Sequence, residues 1–453
     1  MAYNKLSRVF LHLAFIYVTF CEEKSEESKM EPTQLPHSHS HSHHLPHRMH
    51  SGENWLHSFA WNVIGYSVIL IPAFFIMRMI KTSNFNEREG QGFMFRLIQC
   101  CVFGVTKETA SAVAPASIFR CFTGTTSSVV ATKLIFCTTG LQVSYLTWGV
   151  LQEKVMTQKY GVGDEAVHFE NSEFLVFMNR IVALLVAATY VFFTAPNWSG
   201  PFYRFSFSSL SNICSSWCQY EALKFVSFPT QVLGKASKMI PVMLMGKFVS
   251  KKTYQYYEYV VAVMISIGVS LFLMSTASDK HHSAATTVPG IVLMLGYMGF
   301  DSFTSNWQSK LFKEYKVSSM QMMFNVNAFS VLFTSAPLLL SGGMFYAVSF
   351  MMKYPSFFSH VVVISLTSAT GQLFIFYTIG EFGPLVFTII MVTRQMLSIL
   401  LSCLIYRHVL SAQAIFGVTI VFMALFLQIY AKHRISQKTQ QQQITTREGS
   451  DMA

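Results

Sequence analysis

The sequence predicts an all-α polytopic membrane protein, in which ten closely spaced helices are preceded by one extra N-terminal transmembrane helix. Apolar residues make up 52% of the 453-residue chain and charged residues only 12%, whereas about a quarter of residues are charged in soluble domains. The apolar residues come in blocks of roughly 20, the length of helix that crosses a ~30 Å hydrocarbon core. Lys and Arg gather in the short loops between blocks, so the net charge of +11 indicates topogenic charge and no nucleic-acid partner.

The N-terminal region precedes these blocks and has two parts. Residues 1–21 are predicted to be a signal-peptide-like segment, because Lys5 and Arg8 precede a short apolar run. Residues 22–57 are polar and His-rich, a composition that cannot bury a core, so a disordered lumenal segment is expected. Its closely spaced histidines give no fixed coordination geometry, so neither a metal nor any other cofactor is predicted.

Eleven helix-length apolar segments follow. The first, 58–80, is the extra transmembrane helix, and a predicted cytosolic loop, 81–133, separates it from the rest. The other ten divide into two sets of five, within 134–276 and 277–432, before a tail at 433–453. Their predicted bounds are 134–152, 173–194, 202–223, 226–249, 256–276, 288–309, 318–340, 357–379, 384–406 and 411–430.

The basic residues in the short loops predict the orientation, because Lys and Arg accumulate on the cytosolic side. Loops on one side of the predicted topology carry most of them, and the C-terminal tail lies on that side. The C-terminus is therefore predicted to be cytosolic, and eleven spans then place the His-rich segment in the lumen. The basic residues on the cytosolic side are Lys247, Lys251, Lys252, Lys310, Lys313, Lys316, Lys432, Arg434 and Lys438.

Two cations lie inside an apolar segment. Lys235 and Lys238 fall near the middle of 226–249 and, three residues apart, share a helical face. A cation at the bilayer centre costs about 2.5 to 3.5 kcal/mol on insertion scales, so it normally faces a water-filled cavity or a partner. Pro229 and Pro241 bracket the pair and weaken the backbone ladder, as expected where a helix lines a cavity. We interpret both lysines as candidate ligands of an anionic solute.

A third intramembrane cation, Arg394, has the same place in the second set of helices. It lies 156 residues after Lys238 and follows Thr393 as Lys238 follows Ser237. Two sets of five helices fit the internal repeats of transporters, whose binding site lies at the repeat interface, so the two cations are predicted to meet at one anion.

Other interpretations of these charges stay open. The cations could instead neutralise buried carboxylates such as Glu221 or Asp301, and Arg180 could be a solute ligand or a helix-packing charge. Amides and phenols inside the helices could recognise a nucleobase, although packing explains each of them as well. These six candidates are Gln142, Tyr145, Gln219, Tyr220, Gln372 and Tyr377. The sequence has no phosphate-cradling Gly-rich loop, nucleophile elbow or His-Glu-x-x-His motif, so an enzyme is not expected.

Four stretches carry a resemblance to a known family. The most extensive is 211–247, which includes Gly234-Lys-Ala-Ser-Lys-Met-Ile-Pro241, and the others are 140–152, 300–308 and 371–380. They resemble the Golgi transporters of adenosine 3′-phospho 5′-phosphosulfate (PAPS), a branch of the nucleotide-sugar transporter family within the drug/metabolite transporter superfamily. The resemblance runs from about Phe59 to Ala431.

The resemblance implies a Golgi membrane protein whose ten core helices form two inverted five-helix repeats. It also implies an antiporter that exchanges cytosolic PAPS for lumenal adenosine 3′,5′-bisphosphate and supplies lumenal sulfation of glycans and proteins. In the family, a cation in the fourth helix of each half contacts phosphate, and Lys238 and Arg394 hold those places. An antiporter for another nucleotide sugar and a non-transporting membrane scaffold are the competing hypotheses. The lipid bilayer is an expected partner, and a homodimer is an assembly that the sequence leaves open.

Overall fold

A computed structural model gives the structure of the chain. It describes residues 71–83, 98, 101–103, 127–161, 167–169, 171–194, 200–222, 225–226, 234–277, 288–340, 342–405 and 411–451. The signal-peptide-like and His-rich segments lie outside these residues. Of the extra helix predicted at 58–80, only 71–80 is described, and residues 71–82 are helical.

The described residues are almost entirely helical. The first five helices are α1 (Ser127–Thr157), α2 (Ser172–Thr194), α3 (Tyr203–Ala222), α4 (Met239–Ser250) and α5 (Tyr256–Ala277). The next six are α6 (Val288–Tyr315), α7 (Ser319–Leu340), α8 (Gly343–Lys353), α9 (Pro355–Phe382), α10 (Pro384–Ile405) and α11 (Ala412–Asp451). Two short antiparallel strands follow α1, β1 (Lys159–Tyr160) and β2 (Val167–His168).

Several of these helices are long and apolar enough to cross a membrane. Within the described residues there are four such spans, Ser128–Gln152 in α1, Glu173–Thr194 in α2, Ser319–Leu340 in α7 and Pro355–Phe382 in α9. Shorter apolar helices lie in α4, α5, α10 and α11. The prediction of a helical, polytopic membrane protein is therefore confirmed, while the full count of spans and the inverted repeats stay predictions.

The chain divides into two compact units. The first comprises Met1–Arg88 with Ser335–Tyr346, and the second comprises Glu89–Thr334 with Ala347–Ala453. Every candidate site residue lies in the second unit.

Helices far apart in sequence pack against each other inside the second unit. Helix α3 packs on α6, α1 on α9, and α5 on α11. Helix α4 contacts α6, and α10 contacts both α1 and α4. A buried apolar cluster that includes Met239, Ile265, Phe272 and Val421 fills the space between α4, α5, α10 and α11. This packing brings α4 and α10, the helices of Lys238 and Arg394, next to each other.

Buried polar side chains join helices in this unit. Gln308 of α6 donates a hydrogen bond to Ser208 of α3 over 2.8 Å, and Ser365 of α9 donates to Asn179 of α2 over 2.9 Å. A buried polar group without a partner costs free energy, so such pairs favour one arrangement of the helices.

Two ion pairs lie at one end of the helices. Lys133 of α1 pairs with Glu381 of α9 over 2.6 Å, and Arg204 of α3 pairs with Glu314 of α6. Each pair joins helices that already pack together, at the end that the charge pattern predicts to be cytosolic.

Helix α4 begins later than the apolar pattern predicted. The segment 226–249 was expected to be one helix, but residues 234–236 are helical, Ser237 and Lys238 then form a turn, and α4 starts at Met239. Pro241 explains the position, because proline has no N–H to donate and is tolerated in the first turn of a helix. Lys238 therefore lies at the start of a helix, and residues 227–233 are outside the described part of the chain.

Candidate functional site

Lys238 contacts a carboxylate and an aromatic ring of α6. Its Nζ forms an ion pair with Oδ2 of Asp301 and lies 5.9 Å from the ring centroid of Tyr297, within the range of a cation–π interaction. The side chains of Lys238 and Asp301 are 16% and 26% exposed. The alternative interpretation named Asp301 as a carboxylate that such a cation could neutralise, and the structure shows this contact.

The turn that carries Lys238 is held against α6. The Ser237 hydroxyl donates a hydrogen bond to Sδ of Met298 in α6 over 3.9 Å, and Asn306 of α6 donates to the Val242 carbonyl over 2.9 Å. Lys235 is partly buried near enough to Lys238 for the two charges to repel each other. Two neighbouring lysines, of which Lys238 pairs with one carboxylate, leave this region positive, which favours an anionic ligand.

Arg394 lies against α1. Its Cζ is 5.2 Å from the ring centroid of Tyr145, and Tyr145 is also close enough to Arg180 of α2 to interact with its charge. The ring of Tyr145 makes an edge contact with Trp148, with centroids 6.1 Å apart. It also lies against Gly371 of α9, where an added Cβ would come within 3.2 Å of the ring. Helices α1, α2, α9 and α10 thus place two guanidinium groups around one phenol.

The structure brings together five of the ten predicted ligands in these two regions. Lys235 and Lys238 form the first, and Arg180, Arg394 and Tyr145 form the second. The helices that carry Lys238 and Arg394 contact each other, but that both cations bind one solute stays a prediction.

The other predicted ligands have different surroundings. Gln372 accepts a hydrogen bond from Asn327 of α7 over 2.9 Å, and Tyr377 is buried near the charge of Glu381. Gln142 and Gln219 are partly exposed on α1 and α3. The side chain of Tyr220 lies outside the described part of the structure. For Gln372, the amide contact with Asn327 is a packing contact between α7 and α9.

Two residues that contact Lys238 were not among the predicted site residues. Asp301 was considered only as a neutralising carboxylate, and Tyr297 was not considered. The available signal was a carboxylate inside an apolar segment, which is rare and usually functional.

A basic region lies outside the apolar helices, where α4 connects to α5. Lys252 is partly buried there and packs against the turn between α9 and α10, with Nζ 3.6 Å from where a Cβ on Gly383 would lie. Burial and the nearby charge of Lys313 lower the pKa of Lys252 to about 8, while Glu258 opposes the shift. Lys252 is therefore partly neutral near physiological pH.

We expect the acylation rate of Lys252 to rise with pH to a midpoint near pH 8, because only the neutral amine reacts. Lys313→Gln should move this midpoint to higher pH, because removing a like charge favours the charged form of Lys252 and raises its pKa. Glu258→Gln should move it to lower pH. Peptide mass spectrometry after pulsed labelling at several pH values measures each midpoint, and a profile unaffected by Lys313→Gln would contradict the electrostatic coupling.

The model of the UAA transporter family matches residues 133–432, which include every candidate ligand discussed above.

Individual proteins resemble an even larger part of the chain. A human protein named adenosine 3′-phospho 5′-phosphosulfate transporter 1 is 51% identical over 387 residues, covering 85% of this chain and 89% of its own. The Drosophila melanogaster protein of the same name is 46% identical over 392 residues, covering 84% of each chain. UDP-galactose/UDP-glucose transporter 5 of Arabidopsis thaliana is 37% identical over 308 residues, covering 67% of this chain and 88% of its own.

Proposed function

We propose, since this chain belongs to the UAA transporter family, that it carries PAPS from the cytosol into the Golgi lumen in exchange for adenosine 3′,5′-bisphosphate. The chain is a membrane transporter and not an enzyme. Its relatives at 51% and 46% identity are named as PAPS transporters, and the proposal extends that substrate to this chain. The transported PAPS would supply lumenal sulfation of glycans and proteins.

The observation that carries the proposal is the pairing of each cation with a tyrosine ring. Lys238 lies over Tyr297 and Arg394 over Tyr145, on helices that contact each other. PAPS carries about four negative charges on its phosphates and sulfate, so a single cation would leave most of them without compensation. Aromatic faces beside the cations suit the adenine ring. We therefore assign phosphate and sulfate to the cations and adenine to the neighbouring rings.

The packing of the helices supports the proposal of two inverted repeats. If α1 to α5 form one half and α6, α7, α9, α10 and α11 form the other, α3 packs on α6 as α9 packs on α1. The fifth helices of the two halves, α5 and α11, pack on each other. Each cation then belongs to the fourth helix of its half, and the ligand lies between the halves, as in other transporters built from inverted repeats.

Exchange follows from the cost of an empty site. Lys235, Lys238, Arg180 and Arg394 bring four positive charges into a region of low dielectric, and Asp301 contributes one negative charge beside Lys238, so a bound anion of several charges lowers the electrostatic cost of this region. We infer that the loaded carrier reorients faster than the empty one, because the anion lowers the electrostatic barrier. Uptake on one side would then depend on a bound anion returning from the other.

Uptake of labelled PAPS into proteoliposomes that contain the purified protein tests the proposal. We expect saturable uptake that internal adenosine 3′,5′-bisphosphate accelerates, because it carries the return step. Liposomes without protein and liposomes loaded with adenosine are the controls. Equal rates with and without internal bisphosphate would contradict exchange.

The competing function is exchange of a nucleotide sugar with another base or sugar. It is favoured by the 37% identity to a UDP-galactose/UDP-glucose transporter. A nucleotide-sugar carrier would have the same kind of fold and would also need cations to bind the phosphates of its solute. Unlabelled UDP- and CMP-sugars separate the two proposals. We expect them to leave PAPS uptake unchanged at concentrations where unlabelled PAPS abolishes it, and stronger competition by a UDP-sugar than by PAPS would favour the alternative.

A further inference from the structure

The two cations of the site contact the first helix of the opposite proposed half. Lys238 in α4 lies over Tyr297 in α6, and Arg394 in α10 lies over Tyr145 in α1. Tyr297 follows Tyr145 by 152 residues, and the same offset places Leu293 opposite Leu141. On this alignment the tyrosines hold equivalent places in α1 and α6, and the site contains two similar units, each of a cation and a tyrosine.

One position breaks this equivalence. Asp301 follows Tyr297 by one helical turn, on the same face of α6, and pairs with Lys238. The corresponding residue one turn after Tyr145 is Gly149. A Cβ at Gly149 would meet no atom within 4 Å among the described residues. One unit therefore carries its own carboxylate, and in the other the described residues leave open space at the corresponding position.

We propose that Asp301 is an internal anion that competes with the transported solute for Lys238, whereas Gly149 leaves room for an anionic group of the solute beside Tyr145. This inference rests on the proposed function, since it assumes that Lys238 and Arg394 bind a nucleotide anion. One anionic group of the solute would lie in the unit of Arg394 and Tyr145. Its second anionic group would then displace Asp301 from Lys238.

The displacement has a physical reason. A partly buried ion pair is costly to break when one partner is left without a counter-charge. A phosphate that carries more charge than a carboxylate and more acceptor oxygens can replace Asp301 at Lys238 without leaving that cation uncompensated. The released Asp301 then repels the bound anion. Asp301 would thus weaken binding and help the solute to leave, which a carrier needs on each side of the membrane.

A purely structural role of the Asp301–Lys238 ion pair predicts a different result from competition between Asp301 and the solute. If Asp301 only holds α4 against α6, removing its charge should lower stability and weaken ligand binding together. If Asp301 competes with the ligand, removing its charge should strengthen binding, whatever its effect on the stability of the empty protein.

Binding of adenosine 3′,5′-bisphosphate to the purified full-length protein in nanodiscs, at one fixed salt concentration, tests the inference. We expect Asp301→Asn to lower Kd about tenfold, because a competing charge is removed. Asp301→Glu keeps the charge and should bind like the wild type. Gly149→Asp places a carboxylate beside the second unit and should raise Kd about tenfold. In liposomes, Asp301→Asn should also slow release of the bound nucleotide.

The outcomes separate this inference from the proposed function. A wild-type protein that binds the nucleotide, beside an Asp301→Asn variant of equal or weaker affinity, overturns the inference alone. If Asp301→Asn does not fold, Gly149→Asp decides the matter, and wild-type affinity in that variant overturns the inference. A wild-type protein that binds no bisphosphate overturns the proposed function and this inference with it.

Discussion

Replacing Arg394 with glutamine is expected to lower PAPS uptake by about a hundredfold. The guanidinium lies against Tyr145 in α1, and we propose that it makes paired hydrogen bonds with a phosphate of the solute. Truncating one partner of a buried charge pair costs about 2 to 5 kcal/mol, and every 1.4 kcal/mol corresponds to about a factor of ten. Arg394→Lys keeps the charge but loses the planar fork, so it should recover part of the rate.

Uptake into proteoliposomes, normalised to the amount of monodisperse protein, measures this effect. Arg434→Gln is the matched control, since Arg434 is exposed near the end of the chain and should leave uptake unchanged. Tyr145→Phe keeps the ring and should reduce uptake less than Arg394→Gln does. If Arg394→Gln transports at the wild-type rate, Arg394 does not bind the solute.

Gly268→Leu is expected to destabilise the packing of α5 on α11 strongly. Helices α5 and α11 approach each other so closely that a Cβ at Gly268 would lie 2.8 Å from the Gly417 carbonyl oxygen. A Cβ at Gly417 would lie 2.6 Å from the Gly268 carbonyl oxygen. Backbone atoms cannot move aside as a flexible side chain can, so the helices must separate. Small residues allow such contacts between membrane helices.

The expected destabilisation is about 3 kcal/mol or more for leucine, because overpacking a tight contact displaces whole helices. Gly299→Ala is the control, since a Cβ at that glycine meets no atom within 4 Å among the described residues. Size-exclusion chromatography of the detergent-solubilised protein after heating gives the melting temperature of each variant. A Gly268→Leu protein as monodisperse and heat-stable as Gly299→Ala would show that α5 and α11 are not in backbone contact.

Much of the helical architecture could be predicted from the sequence because hydropathy is a local property. The spans in α1, α2, α7 and α9 lie within or around segments expected from the distribution of apolar residues. The ends of the helices were predicted less accurately than their existence. The segment 226–249 contains the beginning of α4 at Met239, since apolar character continues through a turn without showing where the hydrogen-bond ladder starts. Helix α8 lies where only a connection was predicted.

The candidate site was predicted only in part. Intramembrane charge identified Lys238 and Arg394, because a cation in an apolar segment is conspicuous without any knowledge of its surroundings. Gln372, chosen by residue type alone, instead pairs with Asn327. An amide looks the same in a sequence whether it faces a cavity or a neighbouring helix, so residue type could not decide between ligand and packing contact.

The sequence by itself determined that this protein is a helical membrane protein with cations inside its apolar segments, and its resemblance to a transporter family was confirmed. Only the tertiary structure decided which groups those cations contact. Lys238 meets Asp301 and Tyr297 because α4 packs on α6, and Arg394 meets Tyr145 because α10 packs on α1. The physical reason is that insertion into a bilayer depends on composition along each segment, whereas the partner of a buried charge depends on contacts between helices distant in sequence.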